Sequence, residues 1–142
     1  QPKVAVFGKK DYQQLLIIKE MTRQLSLPIK VIAGETSREG DGLALSSRNG
    51  YLNAEERSRA PLLGQVLLEV VERTAEPTAD YRALEAFAMR RLFESGWAPD
   101  YVALRRRVDL RPADAGVDQP GDLIVLAAAR LGGTRLIDNM EC

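Results

Sequence analysis

Short apolar runs alternate with longer polar stretches along this chain, and each run has the length of one strand or one helix face. Val4-Ala5-Val6-Phe7, ended by Gly8, reads as a buried strand. A buried parallel strand needs neighbours on both sides, so partners for it are expected outside these residues. From about Asp11 to Leu25 the positions Leu15, Ile18, Thr22 and Leu25 recur at helical spacing. Pro28 closes that helix, and Ile29-Lys30-Val31-Ile32 reads as a second strand. Together they predict a strand–helix–strand unit of a parallel α/β sheet.

Periodicity stops from Gly34 to Leu52, where turn formers dominate. A long polar loop inside a compact chain is functional or disordered. The domain boundary is expected here, with residues 1–42 in one domain and 43–142 in another. Asn53 followed by Glu56 is a capping-box pattern that starts a helix near Ala54. Pro61 either kinks that helix or opens a new one. The stripe Leu63, Leu67, Val70, Val71 and Thr74 carries it to about Glu76. Asp80 caps a further helix with Leu84, Ala88 and Leu92 inward. Gly96 stands at the left-handed stop position, with Trp97 folding back on Leu92. Tyr101–Arg106, Leu123–Arg130 and Thr134–Asn139 are β-prone, separated by a Pro- and Asp-rich loop at Leu110–Gly121. The second domain is therefore expected to be α+β, with two or three helices on a mostly antiparallel sheet.

Composition narrows the function. Hydrophobic residues make up 45% and charged residues 28%, which is globular rather than disordered. Lys plus Arg equals Asp plus Glu at 20 each, so no bulk attraction to nucleic acid or an anionic membrane is expected. There is no run long enough to span a membrane and no signal-peptide pattern. The single cysteine, Cys142, rules out an internal disulfide and fits a reducing compartment, the cytoplasm. The chain contains no histidine, which removes His-based acid–base chemistry and makes a zinc site a poor expectation.

Two clusters are candidates for chemistry. Gly8-Lys9-Lys10-Asp11-Tyr12-Gln13-Gln14 lies at a strand's C-terminal end and a helix's N-terminus, where open α/β sheets bind ligands. Free N–H groups and two lysines suit phosphate. Asp11 suits a helix cap or a ribose hydroxyl, and Gln14 can donate and accept towards a hydroxy acid. The blander alternative is a turn with solvated lysines and a capping Asp. Ser46-Ser47-Arg48-Asn49 offers two hydroxyls and a guanidinium fork to phosphate oxygens, or is simply a polar loop ahead of Asn53. Arg105-Arg106-Arg107 reads as a solvated strand end, and Met89 and Phe93 as packing residues.

Val4–Gln14, then Asp41-Gly42-Leu43-Ala44-Leu45-Ser46-Ser47-Arg48-Asn49-Gly50-Tyr51-Leu52, then Arg135-Leu136-Ile137-Asp138-Asn139 resemble the pantothenate synthetase family in order and spacing. The middle block is specific to that family, and the likeness covers nearly the whole chain as its C-terminal half. The resemblance implies the end of a Rossmann-like nucleotidyltransferase parallel sheet followed by a small α+β domain. It implies an AMP-forming ligase joining pantoate to β-alanine through a pantoyl adenylate, in coenzyme A biosynthesis. ATP with Mg²⁺ would be substrate and activating ion, with no tightly bound cofactor, no protein metal site and a homodimer in the complete enzyme. By position, Gly8, Lys9, Lys10 and Asp11 would contact ATP, with Asp11 on the ribose and Lys10 on the phosphates. Gln14 would hold pantoate, and Ser37 falls where the family's backbone meets adenine. Leu45, Ser46, Ser47 and Arg48 resemble the Lys-Met-Ser-Lys-Ser-type loop that closes on the triphosphate.

Two positions depart from the family, which usually has Glu at Lys9 and often Val at Ser37. The family's histidine-bearing N-terminal half has no counterpart in these residues, so this chain alone is expected to be inactive. Two other readings compete: a related adenylating ligase for another acid, and a non-catalytic binding or dimerising module.

Overall fold

Valine- and isoleucine-rich segments flank the first helix, and they pair in parallel as a crossover requires. The computed structural model describes residues 2–142. In it, β1 (Val4–Gly8) and β2 (Lys30–Gly34) run in register from Val4↔Lys30 to Gly8↔Gly34. A 3-10 turn, Lys9–Asp11, leads from β1 into α1 (Tyr12–Gln24). The helix buries Tyr12 and Leu15 but leaves Leu25 exposed, so the expected inward stripe ends early. Leu25 is the C-cap, and Ser26 takes a left-handed φ of 49°. The N–H of Leu27 then donates to the Thr22 carbonyl at 3.0 Å, and that of Ser26 to Arg23 at 3.2 Å. The helix therefore closes on a Schellman turn built on serine, just ahead of Pro28.

The chain divides into two compact units, Gln1–Ser37 and Arg38–Cys142. The division falls a few residues before the expected boundary at 42/43. Arg38 belongs with the second unit because its guanidinium is bonded to Asp138 there.

In the second unit, α2 (Ala54–Arg59), α3 (Leu62–Thr74) and α4 (Tyr81–Glu94) precede β3 (Ala98–Arg106), β4 (Leu123–Leu131) and β5 (Thr134–Glu141). The strands form an antiparallel sheet in the order β3-β4-β5. Helix α3 packs on β4 and β5, and α4 on α3 and β3. The Asn53–Glu56 capping box forms in both directions, at 2.8 and 3.0 Å. Pro61 opens α3 rather than kinking α2, since its missing N–H is no loss in a first turn. Leu63, Val66, Leu67 and Val70 meet Leu84, Ala88 and Leu92 above Val102, Leu104, Val125 and Leu136. Each such buried aliphatic contributes about 1.5–3 kcal/mol relative to exposure.

At the bulge between Pro99 and Tyr101 the edge strand turns Asp100 outward. Its carboxylate accepts from Arg135 Nε on β5 at 2.6 Å.

Two expectations fail here. Phe93 is 72% exposed, because it lies on the opposite side of α4 from Leu84, Ala88 and Leu92; Met89 does pack. Arg105, Arg106 and Arg107 are only half-exposed, and all three are ion-paired rather than simply solvated. Arg105 faces Glu85 at 3.5 Å, Arg106 faces Asp109 at 3.5 Å, and Arg107 meets Glu141 at 3.0 Å.

Helix α4 ends as its sequence signals. Gly96 has φ +80°, and Trp97 N–H donates to the Leu92 carbonyl at 3.0 Å. A Cβ on Gly96 would also fall on the Arg59 guanidinium, whose Nη2 donates to the Ser95 carbonyl at 2.6 Å. Gly96→Ala should therefore cost about 2 kcal/mol. Ser26→Gly, at the other left-handed helix stop, should gain about 1 kcal/mol. Urea midpoints moving in opposite directions at constant slope check both; no loss for Gly96→Ala would contradict this reading of the turn.

Candidate functional site

Both parallel strands stop on glycine, and the register pairs Gly8 with Gly34 at the carboxyl end of the pair. The segments leaving these ends carry the residues singled out in the first unit. Gly8 is exposed, and nothing lies within 4 Å of where its Cβ would stand, so a ligand has room against the backbone. Lys9 and Lys10 are half-buried in the 3-10 turn, while Asp11 and Gln14 are exposed on the first turns of the helix. Tyr12 and Leu15, which follow on the helix, are buried. Asp11 occupies the N-cap position, yet its carboxylate accepts no capping hydrogen bond. The helix-capping alternative is thereby removed.

Lys9 Nζ lies 2.6 Å from Glu35 Oε1, just beyond β2. The Lys9 charge is thereby answered within the same unit. Ser37 is exposed beyond β2.

A wide-open groove of about 450 Å³ also lies in this unit, lined by Lys19, Thr22, Arg23 and Leu27 among others. It sits at the opposite end of α1 from Lys10 and is separate from the candidate site.

The second set of residues lies in the second unit on a loop with firm ends. An isolated antiparallel bridge joins Arg38 to Ala44, and Glu39 N–H donates to the Leu43 carbonyl at 2.8 Å. Leu43 and Ala44 are buried at 5% and 4%, whereas Leu45 is 47% exposed. The Gly34–Leu52 stretch is therefore anchored at Leu43 and Ala44 and open on either side of them. Ser46 caps a 3-10 turn, Ser47–Tyr51, by accepting from Arg48 N–H at 3.2 Å. The Arg48 guanidinium spends one donor on the Arg135 carbonyl at 3.2 Å and stays exposed, with the rest of its fork available. Asn49 Nδ2 donates to the Ala44 carbonyl at 3.1 Å, closing the loop on itself. Arg38 and Gly64 were not singled out from sequence, and Asp138 only as part of a matching block, because only the folded chain shows what they touch.

Asp41 ties the loop to α2. It accepts from Arg57 Nη1 at 2.6 Å and from Leu43 N–H at 3.2 Å. The Arg57 hydrogen bond holds its carboxyl below the ordinary aspartate value. With a folded pKa below the unfolded one, the tie is fully present above the ordinary aspartate range, about 3.9. It is lost as pH falls through the lowered value. Protection of the Leu43 amide should therefore hold steady from neutral pH to about 5 and fall only below about 4. Amide exchange followed by NMR checks this, and a loss of protection near neutrality would contradict it.

Among the described residues no three His, Cys, Asp or Glu side chains converge as a metal cage. Among the described residues no helix is long and apolar enough to cross a membrane.

Comparison with known proteins completes the picture. The family profile described as pantoate-beta-alanine ligase matches residues 1–141. The pantothenate synthetase from Thermus thermophilus is 38% identical and superposes with a TM-score of 0.86 over 98% of this chain. That match takes in 49% of the Thermus chain, so these residues span about half the length of that relative. The pantoate-beta-alanine ligase from Francisella tularensis, in complex with beta-gamma ATP and beta-alanine, shares the fold at 23% identity and a TM-score of 0.68. It covers 98% of this chain and 43% of its own. The mixed fold, a parallel pair followed by helices on an antiparallel sheet, is thus that of the carboxy-terminal part of these ligases. With the profile running from the first strand to the end of β5, the chain belongs to the pantoate-beta-alanine ligase family.

Proposed function

We propose that this chain supplies part of the ATP and pantoate site of a pantothenate synthetase. In the reaction, a pantoate carboxylate oxygen attacks the α-phosphorus of ATP and pyrophosphate leaves. The amine of β-alanine then attacks the acyl carbon of pantoyl adenylate, releasing AMP and forming the amide. Such chemistry needs alignment and charge stabilisation more than a protein nucleophile.

The observation that carries this reading is the turn between two glycine-ended parallel strands, where Lys10 and an uncommitted N-cap carboxylate, Asp11, precede a helix N-terminus. Lys10 is assigned to the phosphates, Asp11 to the ribose, and the backbone of Gly8, Lys9 and Ser37 to the nucleotide. Gln14 is assigned to pantoate. Leu45, Ser46, Ser47 and Arg48 are assigned to the triphosphate. Magnesium would neutralise phosphate charge when it accompanies ATP. The complete enzyme is assigned to the cytoplasm as a homodimer in coenzyme A biosynthesis.

Pantoate-dependent ATP–pyrophosphate exchange in the enzyme containing this chain tests the assignment. Arg48→Ala should lower the exchange rate about 10²-fold, as loss of one transition-state donor does. Exchange driven better by another hydroxy acid than by pantoate would overturn the substrate, and unchanged exchange with Arg48→Ala would overturn the loop's role.

A further inference from the structure

The Ser46–Arg48 loop is held at its base by an interaction whose partners lie far apart in sequence. Arg38 Nη1 and Nη2 donate to Asp138 Oδ2 and Oδ1 at 2.7 and 2.9 Å, a two-pronged pair. The same guanidinium donates to the Gly42 carbonyl at 3.0 Å and to the Asn139 carbonyl at 3.3 Å. Asp138 Oδ1 also accepts from Asn139 N–H at 2.8 Å. The Asp138 side chain is 3% exposed and that of Arg38 24%. Gly64 on α3 makes the space: a Cβ there would stand 3.4 Å from Arg38 Nη1, Asp138 Oδ2 and the Gly42 carbonyl alike. Beyond the loop, Arg48 is fixed to the Arg135 carbonyl on the same strand, β5. Only Leu45, Ser46 and Ser47 lie between the buried Ala44 and this second attachment.

We propose that Arg38 and Asp138 are positioning residues for adenylate formation: their buried pair sets the place from which Ser46, Ser47 and Arg48 meet the triphosphate. A buried ion pair is a poor way to gain stability, because desolvation cancels much of the attraction. What a guanidinium fork on a carboxylate gives is geometry, since two parallel hydrogen bonds fix both distance and plane. Donors that act on a transferring phosphoryl group need such placement, and a displacement of about 1 Å costs on the order of 10²-fold in rate. The inference rests on the phosphate reading of the loop.

Arg38→Lys keeps the charge but loses the fork; Asp138→Asn keeps the shape but loses the charge. In the enzyme containing this chain, both should slow pantoate-dependent ATP–pyrophosphate exchange about 10²-fold with the KM for pantoate unchanged. Conversion of supplied pantoyl adenylate and β-alanine to product should stay within about twofold, since pyrophosphate has already gone. Amide exchange should speed up at residues 39–49 and not in β4. Equal losses in both half-reactions, or no loss in exchange, would overturn the proposal. So would loss of β4 protection along with the loop, which would make the pair general scaffolding. Arg48→Ala runs in parallel: if it too leaves exchange intact, the phosphate reading fails. If it alone lowers exchange, only the positioning role does.

Discussion

Lys10→Ala slows the formation of enzyme-bound adenylate by about 10²–10³-fold while pantoate affinity changes little. The expectation follows from where charge accumulates. Phosphoryl oxygens gain negative charge as pyrophosphate leaves, and a lysine positioned beside them would stabilise them more in the transition state than in the ground state. Lys10 sits half-buried in the 3-10 turn that leads into Tyr12. Neighbouring Lys9 is paired with Glu35. Gln14, assigned to pantoate, lies beyond this turn on α1 and should be untouched by the substitution. Quenched-flow measurement of adenylate gives the answer, and an unchanged burst would remove Lys10 from the mechanism.

A polypeptide of these 142 residues made alone should show no detectable pantoate-dependent exchange. Activity should return when it is mixed with a polypeptide covering the remainder of the family's length. In the first unit Val4, Val6 and Ile32 are 47%, 65% and 39% exposed on the two-stranded sheet. Parallel strands are stable when both faces are covered, and this apolar exposure is what a larger sheet would bury. Ligand charges beside Lys10 would also stand in water, where a pair at 4 Å is worth about 1 kcal/mol, against about 4 at the surface of a fuller site. Robust turnover by the separate polypeptide would show that the chemistry is misassigned between the halves.

What the sequence disclosed was mostly local. The Asn53 capping box, the Asp80 cap and the Gly96–Trp97 stop each depend on residues within a turn of one another, and each forms as expected. The three β-prone segments also became strands, with β4 buried along nearly its whole length. Contacts set by distant partners were not legible. Nothing in the neighbourhood of Arg38 names Asp138, and the run Arg105–Arg107 looks solvated until Glu85, Asp109 and Glu141 are brought to it. Phe93 failed for a different reason: apolar character was taken for burial, although large apolar side chains are common on surfaces. At the candidate site, the residue types and their order were visible, but the diversion of Lys9 to Glu35 was not. Asp11's freedom from capping likewise needed the folded backbone.

The reach of the Arg38–Asp138 pair bears on how the molecule is made. The arginine and the acid that seats it are separated by 100 positions. At roughly 5–20 residues per second, a ribosome needs on the order of 5–20 s to travel from one to the other. During that interval the future phosphate loop has no carboxylate to settle on, while the helices following it can already form from local signals. The loop is thus among the last features to acquire its shape. Nascent chains stalled before the Asp138 codon should carry helices without a seated loop, leaving Arg38 open to premature partners.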